Sequence, residues 1–210
     1  DTTPARGAWK ADPQRAGPSG ALADIGTHAY QLIRYTTGLL PEQVSAQLQS
    51  LRTDRTLDDY GHVLVRFANS VLGAVTVSQI THGRLNDLTL EIDGSLASLA
   101  WSQETPNELI VRRFGEPMQV YERNPNADFT HAAASAACRL PAGHPEAFFE
   151  AFANVYRSSY DQMIAHATGQ PVDQRDTIFP NVYDGIEGVA FIEQCVASSA
   201  DNGSWQPLSS

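Results

Sequence analysis

A chain of 210 residues with 42% hydrophobic and 18% charged side chains can bury a sizeable core, which excludes an intrinsically disordered segment. Its 24 acidic residues against 14 basic ones give a net charge of -10 at pH 7, and no cluster of Lys or Arg offsets this locally, so no nucleic-acid partner is expected. Cys138 and Cys195 lie far apart without zinc-ligand spacing, so neither a disulfide framework nor a metal is indicated, and a cytoplasmic location fits.

No apolar run approaches the roughly 20 residues that span a bilayer, so no membrane association is expected. The whole chain, residues 1–210, reads as one domain. Its first 18 residues, rich in Pro, Gly and charge, read as a linker-like segment that connects to something upstream.

From Gly20 the apolar positions Leu22, Ile25, Ala29, Leu32 and Ile33 recur at helical spacing, with Ser19 as N-cap and Gly38 as the stop. After Pro41 the period changes to two, because Val44, Ala46 and Leu48 alternate with Ser45, Gln47 and Gln49. Further strands are predicted over residues 60–68, 71–80, 87–93, 95–101 and 108–114, with tight turns at Asn69-Ser70 and Asp93-Gly94. The alternation predicts a sheet with one apolar and one polar face.

Residues 128–137 read as a loop or short helix. Pro145 then suits the first turn of a helix carrying Phe148, Phe149, Phe152, Val155, Tyr156, Tyr160 and Ile164, an aromatic row expected in the core and over the sheet. A last helix over residues 181–199 puts Val182, Ile186, Val189 and Ile192 on one stripe, with Gly185 and Gly188 permitting close approach. The fold class is therefore α+β: an open-faced, mostly antiparallel or mixed sheet with helices on one face.

Asp24 and His28 lie four residues apart, which on a helix puts carboxylate and imidazole on the same face. An imidazole near neutral pH can take a proton from a hydroxyl while a neighbouring carboxylate orients it and stabilises its charged form. The same spacing also describes an ordinary exposed pair worth a few tenths of a kcal/mol. Lys10 and Arg84 could donate to substrate hydroxyls or cofactor phosphate, and His82 beside Gly83 could line a sugar pocket, whereas isolated groups of these kinds are commonly solvated surface. His144 before Pro145 suits a helix cap.

Several runs, taken in order, resemble the Gfo/Idh/MocA oxidoreductases, in particular their sugar- and inositol-dehydrogenase members. They are Trp9-Lys10, the run Gly20-Ala21-Leu22-Ala23-Asp24-Ile25-Gly26-Thr27-His28, and Tyr35-Thr36-Thr37-Gly38. Thr81-His82-Gly83-Arg84, Glu104-Thr105-Pro106-Asn107, Gly143-His144-Pro145-Glu146 and the stretch from Phe179 to Glu193 continue the match. The resemblance implies that this is the C-terminal, substrate-binding domain of an enzyme transferring hydride from a sugar or polyol hydroxyl to NAD or NADP. It implies that Asp24 and His28 flank the substrate beside the nicotinamide. The family's N-terminal Rossmann domain, with its glycine-rich fingerprint and E-K-P lysine, has no counterpart here, so this chain alone is expected to bind no cofactor and to be inactive. The resemblance also implies a homo-oligomer, dimer or tetramer, formed through the open sheet face with Ser45, Gln47, Gln49, Thr89 and Glu91. A non-catalytic sugar-sensing or assembly module of the same fold is the alternative, since function does not follow from fold. An upstream Rossmann fingerprint in the reading frame would distinguish the two.

Overall fold

The computed structural model describes residues 8–171 and 179–208. The chain divides into two units, the first formed by Asp1–Leu85 with Val182–Ser210 and the second by Asn86–Asn181. In the first unit β1 (Pro41–Gln49), β2 (Tyr60–Phe67), β3 (Val71–Ser78) and the short β8 (Gln206–Pro207) form an antiparallel sheet in the order β3-β2-β1-β8. Alternation dictates its two faces. Val63, Val65 and Phe67 of β2 are buried while His62, Leu64 and Arg66 between them are exposed. The three residues Ala68–Ser70 join β2 to β3, Phe67 pairing with Val71, and Asn69 and Ser70 both take left-handed φ near 61°.

Two helices cover the apolar face. The segment expected as one helix is a π-helical turn, Leu22–Gly26, running into α2 (Thr27–Thr37), which ends on left-handed Gly38. The last helix, α5 (Val182–Ala200), is buried only from Phe191 onward, where Phe191, Cys195 and Ser198 are fully enclosed. Desolvation accordingly raises the Cys195 thiol pKa. The core joins Leu22 and Tyr30 to Val44, Ala46, Val63, Val65, Val75 and Val77 of the sheet. Beyond the β8 pairing, β1 would expose unsatisfied N–H groups, but α5 meets them. The Ala46 and Leu48 amides donate to the Ser198 and Ser199 hydroxyls, each at 2.9 Å.

Helix α2 is fastened to α5 by a polar cluster. Tyr30 stacks on Phe191 with centroids 4.1 Å apart, and its hydroxyl donates to Glu187 Oε1 at 2.6 Å. Arg34 Nε and Nη2 donate to the two Glu187 oxygens at 2.5 and 3.1 Å, while Nη1 donates to the Leu39 carbonyl. Burial pushes the Tyr30 hydroxyl pKa up, reinforced by Glu187. Burial also raises Glu187, but the bonds from Arg34 and Tyr30 outweigh it and hold the carboxyl below its usual value.

The second unit has its own antiparallel sheet, β4 (Thr89–Asp93), β5 (Ala97–Ser102), β6 (Glu108–Arg113) and β7 (Gln119–Glu122), in chain order. Thr89 and Glu91 thus belong to a different sheet from Ser45, Gln47 and Gln49. Strands β7 and β8 are too short to show a period in the sequence. Helix α3 (Ala132–Ala137) is capped by the His131 ring, whose Nδ1 accepts from the Ala133 amide at 3.2 Å.

Helix α4 (Phe148–Thr168) departs most from expectation. It starts at Phe148, because Pro145 and Glu146 are held in a loop and the Glu150 carboxylate accepts the Ala147 amide at 2.9 Å. Among the described residues His144 makes no capping bond; its ring Nδ1 lies 3.2 Å from the Ala142 carbonyl and its own carbonyl accepts from Arg123. The aromatic row is not core, since every residue of α4 is at least partly exposed and Phe149 is 83% exposed. In α5, likewise, Val182, Ile186 and Val189 are exposed, and among the described residues nothing lies within 4 Å of where a Cβ on Gly185 or Gly188 would stand.

A pH test follows from Glu187. Its carboxyl is depressed in the folded state, so its stabilisation is complete above the ordinary value of about 4.3 and is lost as pH falls through the folded value. Glu187→Gln should therefore destabilise the protein at neutral pH by about 1–2 kcal/mol, allowing for partial solvent screening. The gap to the parent should narrow below about pH 4 in urea titrations; a gap independent of pH would contradict the pairing.

Candidate functional site

The turn that carries Asp24 and His28 is fixed by a residue distant in sequence. Asp58 accepts the Gly20 amide at 2.7 Å and the Leu22 amide at 2.9 Å, and the Ser19 hydroxyl donates to it at 2.7 Å. Ser19 is therefore not the cap; it helps to orient the carboxylate that is. A carboxylate at a helix N-terminus satisfies otherwise orphaned donors and meets the positive end of the helix dipole. Gly20 is required there, because a Cβ would stand 2.3 Å from the Asp58 carbonyl oxygen. Six residues beyond Gly20, Gly26 lets the backbone lie on β3: a Cβ would sit 3.2 Å from Val77 Cγ1 and 2.6 Å from Leu22 Cδ1.

The π-helical stretch falls on Asp24 itself, a distortion frequent at functional positions. Asp24 does not bond His28. Lys10 Nζ reaches its Oδ1 at 2.5 Å, and Gln79 Nε2 donates to its Oδ2 at 3.0 Å. Both carboxylate oxygens are engaged, and the side chain is 34% exposed. Among the described residues no hydrogen bond or ion pair is recorded for His28, which is exposed on the first turn of α2. The expected same-face pair is thus a shared turn without direct contact, because Asp24 is drawn toward Lys10 and β3.

His82 and Arg84 are exposed beyond the end of β3, around Gly83 at φ +84°. They belong to the same unit as Lys10, Asp24 and His28, but no recorded bond joins His82 to these three among the described residues. Gln79 and Asp58 are the contributors that sequence reasoning missed. Neither forms a motif; only the ladder that sets β3 beside the turn brings Gln79 to Asp24.

In the second unit, the runs Glu104-Thr105-Pro106-Asn107 and Gly143-His144-Pro145-Glu146 meet. Asn107 Nδ2 donates to the Glu146 carbonyl at 2.8 Å, and the Glu146 amide donates to Asn107 Oδ1 at 3.1 Å. Arg123 donates to Asn107 Oδ1 at 3.0 Å and to the carbonyls of Leu140 and Pro141, and it lies 3.8 Å from Glu146. Asn107 and Arg123 border a shallow depression of about 850 Å³ with Gln119, Tyr121 and Phe129. Since Arg123, Asn107 and Glu146 spend their polar atoms on one another and on backbone, they hold the loop and are assigned no chemistry.

Described residues include no group of three His, Cys, Asp or Glu able to hold a metal. They also offer no pyrophosphate cradle at this helix, because Asp58 already fills its N-terminus. No described helix is long and apolar enough to cross a membrane.

This α+β arrangement of helices on an antiparallel sheet is shared with solved oxidoreductase structures. Residues 1–100 match the GFO/IDH/MocA C-terminal domain, which bears out the resemblance to the Gfo/Idh/MocA oxidoreductases. An uncharacterized oxidoreductase of Bacillus subtilis, YfiI, is 32% identical over 202 residues, covering 94% of this chain and 50% of that protein. Levoglucosan dehydrogenase of Pseudarthrobacter phenanthrenivorans is 28% identical over 222 residues, covering 94% and 53%. An inositol dehydrogenase homolog from Azotobacter vinelandii, crystallised with NAD+, superposes with a TM-score of 0.87 at 32% identity, covering 95% of this chain and 51% of that one. The same homolog has been crystallised with NADH and myo-inositol, and levoglucosan dehydrogenase with NADH and levoglucosan. The chain spans about half the length of the curated relatives it matches.

If Asp58 sets the turn, Asp58→Ala should cost about 1–2 kcal/mol in urea unfolding, and Asp58→Asn, which keeps an acceptor oxygen, clearly less. Equal stability of Asp58→Ala and the parent would remove Asp58 from this role.

Proposed function

We propose that this chain is the substrate-binding domain of a longer NAD- or NADP-dependent dehydrogenase acting on a ring hydroxyl of a sugar or polyol. The observation that carries the reading is the turn itself: an exposed imidazole, unpaired among the described residues, one turn beyond a carboxylate held on both oxygens. Relatives crystallised with myo-inositol and levoglucosan support the substrate class.

In this reading His28 takes the hydroxyl proton as general base. Asp24 bonds a neighbouring substrate hydroxyl and supplies negative charge near the imidazolium that forms. Lys10, which bonds Asp24, donates in this reading to a substrate oxygen, and His82 and Arg84 border the sugar. The nicotinamide, when bound, supplies the hydride acceptor. Residues beyond these 210 hold it, so the chain alone is inactive.

In the intact dehydrogenase, His28→Ala should lower turnover by about 10²–10⁴-fold with smaller changes in cofactor affinity. Turnover near that of the parent would remove His28 from the reaction.

The outer face of the first sheet supports a homo-oligomer. Its rows are mixed, with Leu64 set between Ser45 and Ala74 and exposed Leu72 beside Arg66, whose guanidinium stands 3.9 Å over Trp205. Stable dimers bury about 1,200–2,000 Å² in total and accept polar residues at their interfaces. Sedimentation at micromolar concentration should give a dimer or tetramer; a monomer of 22.8 kDa would contradict this for the chain.

A further inference from the structure

Gln79 reaches Asp24 from the end of β3, and three observations fix how it does so. Its backbone amide donates to the Asp59 carbonyl at 2.9 Å, while the buried Asp59 carboxylate accepts the amides of Leu51 and Arg52 at 2.9 and 3.0 Å. Its side-chain oxygen accepts from Arg55 Nη1 at 3.0 Å. Arg55 is held in turn, since its carbonyl accepts from the Ser50 hydroxyl at 2.8 Å. A guanidinium only donates and an ionised carboxylate only accepts, so the carboxamide between them has one orientation that satisfies both: oxygen to Arg55, nitrogen to Asp24.

We propose that Gln79 is a positioning residue for Asp24. Resting on the dehydrogenase reading above, this assigns Gln79 the task of fixing the carboxylate in the rotamer that meets the substrate. Lys10 alone would do this poorly, since an exposed ion pair on a long side chain is weakly held. The neutral amide adds direction without a second cation, so the negative charge of Asp24 remains available to the imidazolium formed at His28. Arg55 acts at one remove by keeping the carboxamide from turning over.

The test uses the intact dehydrogenase with myo-inositol as the probe polyol. Gln79→Met, of similar length but without donor or acceptor, should lower kcat by about three- to tenfold, the range of one modest hydrogen bond, with little change in KM or thermal midpoint. Gln79→Lys, which offers a donor to Asp24 but brings a second cation against that carboxylate and no acceptor for Arg55, should recover little of the loss. On an Asp24→Ala background, Gln79→Met should cost nothing further, because its effect runs through that carboxylate. If Asp24→Ala is slow but Gln79→Met turns over like the parent, or if the Gln79→Met loss persists undiminished without Asp24, the positioning role is wrong. If Asp24→Ala itself has parental kcat, the dehydrogenase reading of this turn fails, which separates the two failures.

Discussion

The arrangement of the first unit depends on one carboxylate meeting one helix N-terminus. Asp58 stands in the connection between β1 and β2, and it closes the turn that begins at Gly20 by accepting two amides and the Ser19 hydroxyl. A free N-terminus at that point would leave orphaned donors beside the sheet and let the turn fray. Tied down, it delivers Asp24 toward β3 and His28 toward solvent. The neighbouring Asp59 does the corresponding work for residues 51 and 52 and, through its carbonyl, for Gln79. Two adjacent aspartates thus tie the helix start and the strand end that together shape the site.

Rigidity comes from the other end of the same helix. Tyr30, Arg34 and Glu187 clamp α2 to α5 beside the Tyr30–Phe191 stack, and α5 closes the edge of β1 with Ser198 and Ser199. A side chain that must accept a proton from a substrate gains from a mount held at both ends, because small displacements are costly to proton transfer. Within the first unit, the site therefore sits on a helix anchored by carboxylates near each of its ends.

Much of this was legible in the sequence where a period or a turn residue carried it. The alternation of Val44, Ala46 and Leu48 placed β1, and the turn residues Asn69-Ser70 separated the strands expected over 60–68 and 71–80, which are β2 and β3. Asp24 and His28 stood out by spacing and by resemblance to the family. What escaped had no local signature. The capping of Gly20 by Asp58 and the approach of Gln79 to Asp24 link residues 38 and 55 positions apart, which no periodicity reports. The π turn escaped because its apolar spacing differs from that of an α-helix by less than one residue per turn. The aromatic row of α4 misled for the opposite reason: an apolar stripe identifies a helix face but not what, if anything, covers it.

The central claim is that the Asp24–His28 turn, steadied by Lys10 and Gln79, is where a ring polyol binds. Nuclear magnetic resonance of the 15N-labelled chain titrated with myo-inositol tests it most directly. The account predicts saturable shifts grouped at Lys10, Asp24, His28 and Gln79, including the Gln79 side-chain amide, and their loss in Asp24→Ala. Shifts confined to the depression around Tyr121 and Phe129, or none at any concentration that the intact dehydrogenase turns over, would contradict it.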